Sequence, residues 1–192
     1  MKRRDFLKAA ALATFAAETR TMSDAGENTG RKQTGTVQKR PFRDDVKLSV
    51  IGLGGLVVAD IPQKRADRIV AESVENGVNY FDVAPTYSNA EQRLGPALKP
   101  YRDDVFLACK THVRDAKSAR EHLEASLKRL KTDHVDLYQF HAVSGSEDVE
   151  QILGPNGAAE AFFKARKEGK VRYLGLSAHD EEAAIALIDR FD

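Results

Sequence analysis

Four side chains in this sequence have the types and positions needed to move a proton onto an oxygen: Asp82, Tyr87, Lys110 and His141. Three of them close apolar runs, with Asp82 at the end of VNYFD, Lys110 at the end of VFLACK and His141 at the end of VDLYQFH. Tyr87 follows Asp82 in a polar turn beyond Pro85. A tyrosine with an ordinary pKa of about 10 is a poor donor or acceptor at neutral pH. A lysine cation alongside favours the phenolate, and a carboxylate keeps that lysine charged and in place. A neutral imidazole can donate a hydrogen bond to a carbonyl as negative charge develops on its oxygen. Each residue alone has a plainer explanation: Asp82 as a carboxylate satisfying loop amides, Lys110 as a solvated strand end, His141 as a turn residue, Tyr87 as a packing aromatic. Their coincidence on successive strand ends is what points to protonation of a carbonyl oxygen.

The elements that must position them alternate. KLSVIGLGG reads as a strand ending in glycines, followed by the amphipathic ADRIVAESVENG, in which Ile69, Val70, Ala71 and Val74 fall at helical spacing. VNYFDVA, VFLACK, VDLYQFH and VRYLGLS are further strands. Between them lie helices at Ala90 to about Lys99 (interrupted by Pro96), at SAREHLEASLKRL and at GAAEAFFKARKEGK. EEAAIALIDRF begins a last one. Ser118 and Glu121 are placed as a capping box, and Ala119, Leu123, Leu127 and Leu130 form one stripe. Strands recur roughly every thirty residues, the size of a βαβ unit, which implies a parallel sheet. Ligands bind at the C-terminal edge of such sheets, where Asp82, Lys110 and His141 all lie.

An open doubly wound sheet and a closed barrel both fit that alternation. In Ile51-Gly52-Leu53-Gly54-Gly55-Leu56-Val57, a dinucleotide fingerprint needs a third glycine where Val57 stands, and LVVADIPQ opens no helix. The glycines therefore argue against a dinucleotide-binding turn. Strand parity puts Val78, Tyr80 and Asp82 on one face, and Lys110 on the face of Phe106 and Ala108. Cys109 then faces the helices as a buried structural thiol.

Composition bounds the partners. The chain has 192 residues, enough for one domain, and a formal net charge of +1, which gives no reason to expect nucleic acid. A single cysteine excludes an intrachain disulfide or a multi-cysteine metal site in these residues. No apolar run reaches the roughly twenty residues of a membrane span, so no stable membrane insertion is expected.

MKRRDFLKAAALATFAA resembles a twin-arginine signal peptide, with Arg3-Arg4 leading into Phe6-Leu7-Lys8 and a short alanine-rich segment. The resemblance implies recognition by the twin-arginine export machinery and a periplasmic location. Residues 1–22 are assigned to the signal, 23–44 to a polar disordered linker, and 45–192 to the folded domain.

GVNYFDVAPTYSNAEQRLGPAL resembles the first signature of the aldo/keto reductases, and SLKRLKTDHVDLYQFH their second. VFLACK is similar to their lysine-bearing strand, and GKVRYLGLS to their G-K-x-R-x-x-G-x-S. The resemblance runs from about Lys47 onward. It implies a TIM-type (β/α)8 barrel, incomplete here at about five βα units, that reduces an aldehyde or ketone with NADPH. By position it makes Tyr87 the general acid, Lys110 its tuning cation, Asp82 the partner of Lys110 and His141 the group that polarises the carbonyl. Gly54 and Gly55 would lie beside the nicotinamide, whose carboxamide Ser177 would bind; Asp82 completes the cofactor side. No metal is implied, and Cys109 alone cannot hold an iron–sulfur cluster. Three positions depart from the pattern: Ser88 where glycine usually follows the tyrosine, Ala90 for a serine, and Ala178-His179 where an asparagine is common. The family's later strands bind the adenine ribose phosphate, so these residues are expected to hold the acid–base half of the site without the full cofactor grip. A non-catalytic barrel used as a binding or regulatory module, or an inactive truncated fragment, are the rival readings.

Overall fold

The computed structural model describes residues 36–190. The signal segment at 1–22 and the linker as far as residue 35 lie outside the described residues. The described chain begins with an antiparallel hairpin, β1 (Lys39–Arg43) and β2 (Val46–Ser49), turning at Asp44 with φ 52°. Two sequence expectations change here. Residues 39–43, assigned to the linker, form a strand, and KLSVIGLGG divides between β2 and the two-residue β3 (Leu53–Gly54). The division follows from Ser49, whose amide donates to Asn79 Oδ1 at 2.7 Å and whose hydroxyl donates to the Ile51 carbonyl at 2.7 Å.

From β3 onward strands and helices alternate. The helices are α1 (Gln63–Glu75), α2 (Ala90–Leu98), α3 (Ala116–Leu130), α4 (Ser146–Leu153), α5 (Ala158–Lys167) and α6 (Glu181–Arg190). The strands are β4 (Tyr80–Asp82), β5 (Phe106–Thr111), β6 (Val135–Val143) and β7 (Val171–Ala178). The sheet is parallel, in the order β3-β4-β5-β6-β7. Each strand thus lies beside its predecessor in sequence, as in a (β/α)8 barrel; a doubly wound sheet reverses its order part-way. The described residues form a five-stranded open portion of such a barrel.

Parity along the strands builds two layers. Phe81, Cys109, Tyr138 and Phe140 face the helices and are fully buried or nearly so, with Tyr138 and Phe140 packed on Phe162 of α5 at centroid distances of 4.6 and 4.0 Å. The inner face begins with an aromatic layer, Tyr80 stacked on Phe106 at 5.7 Å and Phe106 on Tyr173 at 6.0 Å. Phe42 of the hairpin lies edge-on against Phe106 and Tyr173, at 5.7 and 5.6 Å. The Tyr173 hydroxyl donates to Asp44 at 2.9 Å. The hairpin therefore caps the N-terminal end of the sheet and leaves the C-terminal end for the chemistry.

The helices pack by the stripes expected of them. Ala119, Leu123, Leu127 and Leu130 are all buried on α3. Its cap is not the Ser118/Glu121 box: Asp115 is the N-cap, and its carboxylate accepts from the Ser118 amide at 2.8 Å. Gly95 in α2 has no room for a side chain, because a Cβ there would run into the Leu130 backbone at the end of α3. That contact lets the two helices lie closely side by side despite Pro96 within α2. Helix α4 has no counterpart in the sequence reading; only Val149 and Ile152 on it are buried.

Candidate active site

Asp82 is the last residue of β4 and points inward above Tyr80. Its Oδ1 takes the ammonium of Lys110, which is 7% exposed at the side chain against 22% for Asp82. Its Oδ2 takes two more donors, Gln139 Nε2 at 3.2 Å and the Tyr80 hydroxyl at 3.4 Å. The register explains the meeting, since Lys110 of β5 stands opposite Gln139 of β6, and Asp82 opposite Ala108, one inward-facing position lower. A buried ion pair keeps its geometry only when the remaining lone pairs are satisfied, and Gln139 and Tyr80 do that. Burial, then the Asp82 charge, push the Tyr80 hydroxyl up to about 12, so it remains a neutral donor to the carboxylate. Gln139 was not singled out from sequence, although its inward parity, shared with His141, was the available signal.

Tyr87 follows in a tight turn, its amide bonded to the Ala84 carbonyl at 3.0 Å and its own carbonyl to the Ala90 amide at 3.0 Å. The Lys110 Nζ lies 5.2 Å from the centroid of its ring. His141 meets the same ring edge-on, with centroids 5.9 Å apart and planes at 85°. Asp82, Tyr87, Lys110 and His141 are thus in one place at the C-terminal edge of three neighbouring strands. Burial first, and then the positive charge of Lys110, hold His141 below its usual pKa. The imidazole is consequently neutral at physiological pH.

Ser88, where the sequence departs from the glycine pattern, has φ 50°. That left-handed backbone is why glycine suits the position. Here the serine hydroxyl donates to Asp60 Oδ1 at 2.7 Å, and Asn89 Oδ1 accepts from the Asp60 amide at 2.8 Å. The loop that carries Tyr87 is thereby fastened to the loop beyond β3.

The remaining residues named from sequence sit around this edge. Gly54 pairs with Asp82 across β3 and β4, and a Cβ there would point into open space. Gly55 differs: a Cβ would come within 2.7 Å of Val83 Cγ2, so glycine is required there for close packing on β4. Ser177 lies in β7, with its hydroxyl oxygen accepting from the Ala142 amide at 3.1 Å. Gly54 thus presents open space on one flank of the four side chains and Ser177 a hydroxyl on the other, a small residue and a hydrogen-bonding group compatible in type with holding a nicotinamide. Cys109 faces the helices as parity required, its thiol beside Glu91 Oε1 at 3.5 Å. Burial and the Glu91 charge hold that thiol above its usual pKa. Glu91 itself pairs with Arg129 behind the sheet. Among the described residues, no group of three or more His, Cys, Asp or Glu side chains is placed to hold a metal ion. No described helix is long and apolar enough to cross a membrane.

Residues 50–189 match the sequence profile of the aldo/keto reductase family. The chain belongs to that family. Among its relatives are the uncharacterized oxidoreductase YqkF of Bacillus subtilis, 32% identical over 148 residues (70% of this chain, 46% of the relative), and the methylglyoxal reductase YeaE of Escherichia coli, 34% identical over 145 residues (72% and 49%). Among solved structures, the holo form of aldo-keto reductase AKR11C1 from Bacillus halodurans superposes with a TM-score of 0.70 at 31% identity, covering 80% of this chain and 54% of that one. The chain spans about half the length of the curated relatives it matches. The five-stranded parallel sheet of the described residues is an incomplete portion of the TIM barrel of these structural neighbours.

Proposed function

We propose that Asp82, Tyr87, Lys110 and His141 form the acid–base half of a site that reduces an aldehyde or ketone to the alcohol with NADPH. The observation that carries this reading is the convergence of Lys110 and His141 on the Tyr87 ring, at 5.2 and 5.9 Å, with Asp82 holding the lysine from behind. The nicotinamide, when bound, supplies the hydride that the carbonyl carbon takes. Gly54, Gly55 and Ser177 are the residues assigned to hold it, with Asp82 on the same side. Neutral His141 donates a hydrogen bond to the substrate oxygen and orients it. Tyr87 gives its proton to that oxygen, and the Lys110 cation stabilises the charge left on the phenolate. Asp82, fixed by Gln139 and Tyr80, pairs with the Lys110 ammonium and holds it in place.

The test is turnover of a panel of small aldehydes with NADPH by a version of the protein completed with the later strands that its relatives carry, and by the same version with Tyr87→Phe. Losing the general acid is expected to reduce turnover by about 10²–10⁴-fold at nearly unchanged cofactor affinity. Equal turnover by the two proteins would sink the assignment. The N-terminal arginine pair supports a second proposal, that the precursor is exported to the periplasm by the twin-arginine machinery. Replacing Arg3 and Arg4 by lysine keeps the charge and is expected to stop translocation, as read by cell fractionation. Equal export of both versions would show the pair to be incidental.

A further inference from the structure

The backbone immediately after His141 is strained and held from three sides. Phe140 pairs with Leu176 and Val143 with Ala178, so β6 carries one more residue than β7 across this step. Such a bulge re-aims a side chain at the end of a strand. It returns Val143, fully buried, to the helix-side core while His141 faces Tyr87. The extra residue is accommodated at Ala142, which has φ 56°. A non-glycine residue in that left-handed region is strained and persists only where its surroundings fix it.

Those surroundings come from three separate elements. Ser177 of β7 accepts from the Ala142 amide at 3.1 Å. Arg114, in the loop between β5 and α3, donates through Nη2 to the His141 carbonyl at 3.0 Å and the Ala142 carbonyl at 3.4 Å. The same guanidinium grips Asp148 of α4 with two bonds, Nε to Oδ1 at 2.9 Å and Nη2 to Oδ2 at 3.0 Å. Asp148 in turn accepts from the Ser144 amide at 2.9 Å, closing the turn that follows the bulge. The pair is largely buried, with side chains 13% and 23% exposed. A two-bond arginine–carboxylate contact fixes orientation as well as distance, which a lysine cannot reproduce.

We propose that Arg114 and Asp148 are positioning residues for His141, locking the left-handed backbone at Ala142 so that the imidazole stays against Tyr87. The inference rests on the reading of His141 given under Proposed function, and it deepens that reading. Arg114 does not touch the reacting atoms; it acts through the two carbonyls it holds. Helix α4 thereby gains a purpose beyond packing, since it delivers Asp148.

The experiment follows the His141 ring by NMR in the full chain and in Arg114→Met, Arg114→Lys and Asp148→Asn. In the parent, a cross-peak is expected between the Tyr87 and His141 rings, whose centroids are 5.9 Å apart. Arg114→Met is expected to weaken it several-fold and to shift the His141 signals, in a protein that still melts cooperatively. Arg114→Lys recovers the signal only in part, and Asp148→Asn falls between parent and Arg114→Met. Where aldehyde turnover is measurable, kcat is expected to fall about tenfold with cofactor affinity unchanged. A folded Arg114→Met with the cross-peak and shifts of the parent overturns the proposal. If Arg114→Met does not fold, the milder Asp148→Asn decides, and an unaltered cross-peak there overturns it. Loss of the catalytic reading by the turnover test above would leave this result standing, because the cross-peak alone decides whether Arg114 and Asp148 place the ring.

Discussion

Gln139 Nε2 donates to Asp82 Oδ2 at 3.2 Å, on the oxygen that Lys110 leaves free. The two residues are 57 apart in sequence, and the bond forms because β6 and β4 flank the strand that carries the lysine. It makes the carboxylate a three-donor acceptor, with Tyr80 supplying the third donor at 3.4 Å.

Gln139→Leu removes one donor and leaves an apolar group against a carboxylate. A lost hydrogen bond to a charged, part-buried group costs about 1.5–3 kcal/mol. Stability by urea denaturation is therefore expected to fall by about that amount, with turnover reduced and cofactor affinity retained. Lys110→Met removes the cation itself and is expected to cost most of the turnover. Unchanged stability and turnover in Gln139→Leu would show that Asp82 is held adequately by Lys110 and Tyr80 alone.

The strand-end residues were legible in the sequence because period-two alternation assigns faces. It put Tyr80 with Asp82, Lys110 with Phe106, and Cys109 on the opposite side, all as found. The supports were not legible. Arg114 and Asp148 are 34 residues apart in a loop and in a short helix, with no periodic signal joining them. Every residue of β1 is exposed, so no alternation marks it as a strand. Ser118-x-x-Glu121 has the spacing of a capping box, but Asp115 caps α3 instead by reaching the Ser118 amide.

Stability should fall in mild acid. His141 is held below its usual pKa by burial and then Lys110, and His122 by burial, then His112 and Arg129. The unfolded chain takes up protons at these sites near the usual histidine value of about 6.5, before the folded chain does. The stability they contribute is present above that value and is lost as pH falls through their folded pKa values. Urea denaturation at about pH 7.5 and about pH 5.5 should show the loss, and His141→Gln should shrink the difference. A stability that rises or stays level on acidification, with both histidines intact, would contradict these directions.

Ser88 separates strain from hydrogen bonding. Ser88→Gly relieves a left-handed backbone worth about 1–2 kcal/mol and gives up the bond to Asp60, worth about 0.5–1.5 kcal/mol. The two offset, so its stability should lie within about 1 kcal/mol of the parent. Ser88→Ala keeps the strain and loses the bond, and should be destabilised by about 1 kcal/mol. Equal stability of the glycine and alanine variants would mean that the backbone at this position costs nothing.

The sheet has two edges among the described residues, β3 and β7, each paired on one side only. The β3 edge is two residues long, too short to template much pairing, but β7 runs for eight. Beside it lies a groove whose apolar part is lined by Phe163, Leu174, Leu176, Leu187 and Ile188, with Arg43, Asp44, Arg166 and Arg172 on its polar part, and Phe163 and Ile188 are 41% and 47% exposed. Unpaired amides and carbonyls next to apolar side chains are the pattern that invites edge-to-edge association. The chain is therefore expected to self-associate, with sedimentation coefficients rising with concentration. Ile188→Glu places a charge in the groove without touching any sheet hydrogen bond, and should shift the distribution toward monomer. A parent that sediments as a monomer at all concentrations, with a single sharp unfolding transition, would show that the β7 edge is adequately protected as it stands.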